Sequence, residues 1–300
     1  MDERLELAAA HWAVKRPSDK TRWWMHPPII RHINRLVCGE PIDGPHFGFN
    51  RLLHGVMPEG GFRRAVSIGC GSGGKEIRLL RENIVQHFDL FEISEPKIQL
   101  IQQKAAEHGV LDRVSWHHAD AFEREIVGEF DLVYWNNSLH HMFDVQQAIA
   151  WSARALQSGG YFAMDDYVGP TRFQWTDLEL EMAARVRALL PDRFLVNPRN
   201  SNAWLNRAPG RPDVQVMMAA DPTEAADSGR ILAAVMVAFP QARLIPTGGI
   251  IYHLALNDVL ANFGEEEEED QAMLESLLLL DEILARNGHT QYAVAIARKD

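Results

Sequence analysis

Between residues 62 and 168, short apolar runs alternate with stretches whose apolar residues recur at helical spacing. Ala65–Ile68 reads as a strand that leads into a glycine-rich turn. The next stretch, Glu76–His87, carries Ile77, Leu80 and Ile84 on one helical face. Phe88–Ile93 follows as a second strand and Glu95–His108 as a second helix, closed by Gly109 as a C-cap. Val114–His117, Phe130–Trp135 and Tyr161–Asp165 are three further strands, with a helix over Val145–Leu156 and a Gly159-Gly160 break before the last strand. Such alternation means βαβ units and a parallel sheet.

Outside this stretch the pattern changes. Residues 1–60 are rich in Trp, His, Arg and Pro, with a helix over Pro28–Val37, and read as a helical N-terminal cap. After residue 168 a helix covers Trp175–Leu190, and then Pro191, Pro198, Pro209, Pro212 and Pro222 punctuate a segment with no periodicity. A long structureless segment in a compact domain is uncommon and marks a lid or a binding segment. Regular structure returns with a helix over Glu224–Phe239 and a strand over Arg243–Pro246. Helices follow near Ile251–Phe263 and Gln271–Arg286, and Gln291–Ala297 is a terminal strand. The expected division is a cap over 1–60, a core over 61–168, an insertion or lid over 169–222, and the rest of the core over 223–300.

Composition narrows the function. Hydrophobic residues make up 46% of the 300 and charged residues 24%, which is globular and long enough for a full core without cross-links. The net charge of −11 includes the run Glu265–Asp270, read as a solvated helix N-terminus favoured by the helix dipole; without it the balance is −5. No Lys/Arg cluster is present, which argues against a nucleic-acid or anionic membrane partner. The two cysteines, Cys38 and Cys70, have no metal-ligand spacing. The N-terminus is acidic and lacks the apolar core of a signal peptide, and no stretch approaches the ~18–20 apolar residues that span a bilayer. A cytoplasmic protein is expected.

The run Val66-Ser67-Ile68-Gly69-Cys70-Gly71-Ser72-Gly73-Gly74 ends a strand and opens a helix. Glycines there permit a tight turn and let backbone N–H groups approach a ligand. Glu92 ends the second strand, where an acid binds ribose hydroxyls. Both features fit an NAD site and an S-adenosylmethionine (SAM) site equally.

Three later features separate these. They are His118-Ala119-Asp120-Ala121-Phe122 after the third strand, Phe130-Asp131-Leu132-Val133 with its exit loop Asn136-Asn137-Ser138-Leu139-His140-His141-Met142, and Leu156-Gln157-Ser158-Gly159-Gly160 before the fifth strand. In this order and spacing the chain resembles the class I SAM-dependent methyltransferases over about 62–168, together with the final strand. The resemblance implies an α/β, Rossmann-like fold: a seven-stranded, mostly parallel sheet with an antiparallel terminal strand, here with a helical cap. It implies that backbone amides of Gly69, Gly71 and Gly73 meet the methionine part of SAM. Glu92 would take the ribose diol, Ile93 would pack on adenine, Asp120 and Ala121 would read its edge, and Asn136 would line the methionine side. One departure is Ser67, where the family often has an acid, so the SAM ammonium contact is weaker or comes from elsewhere.

Methyl transfer from a sulfonium needs an aligned nucleophile and, for a hydroxyl, a base. His140 and His141 follow the fourth strand at the cleft edge, and Asp165 and Asp166 end the fifth. The loop resembles that of small-molecule and sugar O-methyltransferases, which points to His140 as base and Asp166 as its partner, with His141 packing on SAM or sharing the role. Asp165 and Asp166 lack an identifiable third ligand, so no metal is assigned. Tyr167, Arg172, Gln174 and His253 are candidate acceptor-site residues. Trp23, Trp24 and His26 either cover the site or pack on the core, and Trp24 and His26 are counted with the acceptor group.

The expected function is methyl transfer from SAM to a hydroxyl of a small acceptor, a sugar or natural product. N-methylation of a small amine is the nearest alternative. An NAD-dependent oxidoreductase and a non-catalytic SAM-binding module stand further off.

Overall fold

A computed structural model of the chain describes residues 3–14 and 19–300. Its strands are β1 (Ala65–Ile68), β2 (Phe88–Phe91), β3 (Val114–His117), β4 (Phe130–Asn136), β5 (Leu156–Tyr167), β6 (Arg243–Gly248) and β7 (Tyr292–Arg298). They form one sheet in the order β3-β2-β1-β4-β5-β7-β6. Neighbours from β3 to β5 run parallel, and β7 runs antiparallel between β5 and β6. This is the expected α/β fold, a seven-stranded, mostly parallel sheet. The strand order reverses between β1 and β4, and open α/β sheets bind ligands beyond the carboxyl ends of their strands at such a point.

The helices are α1 (Glu3–Ala13), α2 (Pro27–Cys38), α3 (Phe47–Val56), α4 (Gly74–Arg81), α5 (Glu95–Glu107), α6 (Val145–Ala155), α7 (Asp177–Leu189), α8 (Val214–Ala220), α9 (Ile231–Ala238) and α10 (Glu268–Arg286). All seven residues of β4 are buried, as a central strand covered on both faces requires. Val133, Trp135 and Phe162 pack with Ile149 of α6 and Val235 of α9 on one face. On the other, Leu132 and Tyr134 pack with Phe49 of α3, Leu80 of α4 and Ile101 of α5. A third apolar cluster, around Phe194, Ile251 and Leu278, lies under the proline-punctuated segment. Among the described residues, no helix is long and apolar enough to cross a membrane.

The structure corrects several expected elements. The helix expected to reach His87 stops at Arg81, because Asn83 turns left-handed and Val85 joins Phe62 in a bridge. β5 runs through Gly159-Gly160 instead of starting after them, since Leu156 already pairs with Phe130. The segment 191–222 holds a 3₁₀ turn (Asp192–Leu195), a Val196–Trp204 bridge and α8, so it is not structureless. The helix expected from Glu224 begins only at Ile231, after Ala225 adopts a positive φ of 48°. Ile251–Ala255 is a π-helical turn and Val259–Asn262 a 3₁₀ turn, not one helix. Within the acidic run, Asp270 is buried against the Arg193 guanidinium instead of being solvated.

Candidate active site

A cavity of about 1170 Å³ opens beyond the carboxyl ends of β1, β2 and β3. Gly69, Gly71, Glu92, Ile93, Asp120 and Ala121 all line it. Gly69 and Gly71 adopt φ of 65° and 58°, the left-handed region that favours glycine. A Cβ on Gly71 would meet nothing within 4 Å, so its backbone faces open space. Glu92 accepts the amides of Gly71 and Ser94, each at 2.9 Å, which fixes its carboxylate at the mouth while burial pushes its pKa up. Asp120 caps the turn Ala121–Glu123 through Phe122 N–H at 2.9 Å. The cavity exceeds ordinary ligand pockets of about 300–1,000 Å³, which leaves room for two molecules side by side.

The two remaining expected cofactor residues lie elsewhere. Gly73 packs against α5, where a Cβ would come within 2.9 Å of Ile101. Asn136 sits behind the cavity wall: its amide donates to Tyr134 Oη at 2.7 Å, and its carbonyl and Oδ1 both accept from Lys75 Nζ. Lys75, Asn137 and Ser138 line the cavity in its place. Burial lowers the Lys75 pKa, against the pull of Glu76, Asp166 and Asp165. Ser67 donates to Glu76 Oε1 at 2.9 Å, and Glu76 Oε2 is buried with no partner. An acid is therefore present beneath the loop after all, brought in by the first turn of α4. Lys75 and Glu76 directly follow the glycine run, and that adjacency was the available signal.

His140 and Asp166 meet as expected. Asp166 is fully buried and accepts the His140 Nδ1–H together with three amides, Ser138 at 2.9 Å, Leu139 at 2.7 Å and Tyr167 at 2.9 Å. Burial alone would lower the His140 pKa, but the Asp166 carboxylate carries it above the ordinary histidine value. His141 lies tilted beside it with 4.0 Å between ring centroids and lines the cavity, and burial followed by the neighbouring His140 holds its pKa well below the usual value. Two residues were missed. Glu224 Oε1 lies 3.8 Å from His140 Nε2, and the Thr223 hydroxyl lies 3.1 Å from His141 Nδ1. A second pair was also missed: His46, which lines the cavity, holds Asp165 through Nδ1 at 2.8 Å.

The expected acceptor-site residues separate into three places. Tyr167 and His253 lie in an aromatic cluster with Phe173 and Tyr292, with the Tyr167 ring 6.2 Å from that of His140. Arg172 does not face the cavity. Its guanidinium donates to the carbonyls of Pro222 at 2.7 Å and Glu224 at 2.8 Å, so it clamps the loop that carries Thr223 and Glu224. Gln174 likewise donates to the backbone carbonyls of Arg172 and Pro212. Trp24 borders a separate void of about 30 Å³ with Trp23 and Tyr252, and His26 is buried with its Nε2 on the Lys20 carbonyl at 2.5 Å. Polar groups occupied by backbone in this way hold the insertion in place.

Residues 66–162 match the methyltransferase domain family. The chain is 36% identical over 117 residues to 27-O-demethylrifamycin SV methyltransferase of Amycolatopsis mediterranei, a match covering 39% of this chain and 43% of that protein. Residues 66–162 are thus a methyltransferase domain, similar to those of the class I family. An uncharacterized methyltransferase of Mycobacterium tuberculosis is 27% identical over 124 residues, 41% of this chain and 59% of that one. The chain thus spans less than two thirds of these relatives' length. Geranyl diphosphate C-methyltransferase from Streptomyces coelicolor shares the fold over 99% of both chains, with a TM-score of 0.56 at 13% identity. S-adenosylmethionine is the cofactor of this methyltransferase family, and the open backbone at Gly71 with the Glu92 and Asp120 carboxylates at successive strand ends fits it.

Proposed function

We propose that this methyltransferase moves a methyl group from SAM to a hydroxyl of a small acceptor in the cytoplasm, with His140 taking the hydroxyl proton. The observation that carries the reading is the His140–Asp166 pair, whose carboxylate is held by three backbone amides beside the cofactor cavity. SAM supplies an activated methyl group. The chain holds it against the open backbone of Gly69 and Gly71, whose own amides are donated to the Phe91 carbonyl and the Glu92 carboxylate, with Glu92 toward the ribose, Ile93 against the adenine, and Asp120 with Ala121 at its edge. Glu76, beneath the loop, places an acid where Ser67 lacks one, with burial pushing its pKa up.

Asp166 fixes the His140 tautomer, so Nε2 carries the lone pair that accepts the proton. His141 forms the wall between base and cofactor, and α1 with Trp12 excludes water above it. Segments 1–60 and 169–222 act as the cap around the acceptor. The relative named 27-O-demethylrifamycin SV methyltransferase supports a hydroxyl acceptor over an amine. A second reading, His46 as base on Asp165, has its own support, because His46 lines the cavity directly.

The test begins with calorimetric titration of SAM and its demethylated product, followed by turnover on panels of hydroxylated and amine acceptors. Methylation confined to hydroxyls and lost in His140→Ala supports the proposal. Amine-only turnover, or full activity in that variant, sinks it.

A further inference from the structure

His140, His141 and Glu224 bring two imidazoles and a carboxylate together, with one ligand atom from each within 4.8 Å of the others. Hydrogen bonds determine what each imidazole offers. Asp166 also accepts three backbone amides, so it is the acceptor for His140 Nδ1–H, and His140 Nε2 keeps its lone pair. The Thr223 hydroxyl donates to Asp221 Oδ1 at 2.6 Å, so its oxygen accepts from His141 Nδ1–H and His141 Nε2 also keeps a lone pair. Glu224 Oε1 faces the first of these nitrogens at 3.8 Å.

We infer that His140, His141 and Glu224 form a binding site for a divalent transition-metal ion of the zinc class. Two imidazole nitrogens and one carboxylate oxygen are a donor set of catalytic zinc sites, which keep a fourth position open. Of the three ligands, His141 lines the cofactor cavity. Magnesium and calcium, which take oxygen ligands, fit this set poorly. Histidine ligands characteristically hold an outer partner on the second ring nitrogen, and Asp166 and Thr223 are those partners. Zinc–nitrogen bonds of about 2.0–2.1 Å require ligand atoms about 3.3 Å apart, so the side chains close by roughly an ångström. The supports are firm on both sides. His140 and His141 stand on a 3₁₀ turn anchored to Asp166, and Arg172 clamps the backbone that carries Glu224.

A metal on His140 Nε2 occupies the lone pair that would accept the acceptor's proton, so zinc inhibits methyl transfer. This consequence rests on the base role proposed above, whereas the metal site does not.

The experiment titrates the full chain, stripped with chelator, with Co²⁺, reads the visible absorption bands, and then competes with Zn²⁺. One Co²⁺ per chain, displaced by one Zn²⁺, is expected, with affinity falling at least about 100-fold in Glu224→Gln and in His141→Ala and unchanged in His46→Ala. Titration of each variant with the demethylated cofactor shows that it is folded. Absent bands, bands that survive both site variants, or bands lost in His46→Ala overturn the metal site. If zinc saturates the site and turnover continues, the inhibitory consequence and the base reading fail while the site stands. If no metal binds and His140→Ala abolishes turnover, the site fails while the base reading stands.

Discussion

Asp165 and Asp166 are neighbours on β5, and each holds a histidine through Nδ1, yet the two pairs are built differently. Successive strand residues project to opposite faces, so one pair forms on each side of the sheet. Asp166 is completely buried and takes three backbone amides besides His140. Asp165 is 9% exposed, and its histidine comes from a left-handed residue, φ 66°, just before α3. A His–Asp pair is thus not a functional unit by itself. The number of backbone amides on the carboxylate is what separates the His140–Asp166 pair from the His46–Asp165 pair.

The largest expected effect breaks or keeps this contrast directly. His140→Ala lowers kcat/KM by about 10²–10⁴-fold, the usual contribution of a general base, with SAM affinity retained. His46→Ala costs less than about tenfold. Steady-state kinetics on both variants check this, and the reverse order hands the base role to His46. In urea unfolding, Asp166→Asn should cost about 3 kcal/mol, because it leaves a buried network without its charge, and Asp165→Asn only about 1 kcal/mol. Equal losses would erase the distinction.

A histidine with no carboxylate sharpens the comparison. His253 is enclosed by aromatic rings, its Nε2 has no partner, and burial followed by the charge of Arg22 lowers its pKa to about 4. In the unfolded chain it titrates near the ordinary value of about 6.5. Between these values the unfolded state binds more protons, so stability is lost as pH falls from about 6.5 toward 4. The loss from this residue is about 2–3 kcal/mol, read as the difference in pH-dependent unfolding between wild type and His253→Gln. A carboxylate with no histidine completes the series. Glu92→Ala should weaken SAM by about 1.5–3 kcal/mol in calorimetry, the scale of hydrogen bonds to a charged group. Unchanged affinity would mean that the ribose lies elsewhere.

The strand ends that border the cavity were legible because their determinants are local. Ala65–Ile68 and Val114–His117 match the observed strands to the residue, and Glu92 and Asp120 stand where their strands end. The acceptor side depends on residues distant in sequence. Glu224 reaches His140 on a loop held both by the Arg172 guanidinium and by the Ala226 amide on the His140 carbonyl, and nothing in the periodicity of 169–224 encodes that contact. Arg172 and Gln174 looked like ligand residues for the same reason, since a polar side chain in a proline-rich segment gives no sign of which carbonyl it will find. Gly73 and Asn136 were assigned to the cofactor by motif, but packing against Ile101 and Lys75 decides where they point.

Both aspartates sit where β5 is paired with β7, Asp165 opposite Val294 and Asp166 opposite Ala293. The partner strand is thus roughly 130 residues later in the chain. At about 5–20 residues per second, a ribosome that has released Asp166 needs on the order of ten seconds more to deliver Ala293. Through that interval the glycine loop and the ends of β1–β3 are already complete, while β5 lacks one of its two neighbours. During synthesis, the strand ends that border the cavity are therefore complete before the strand that carries Asp165 and Asp166 has both of its neighbours.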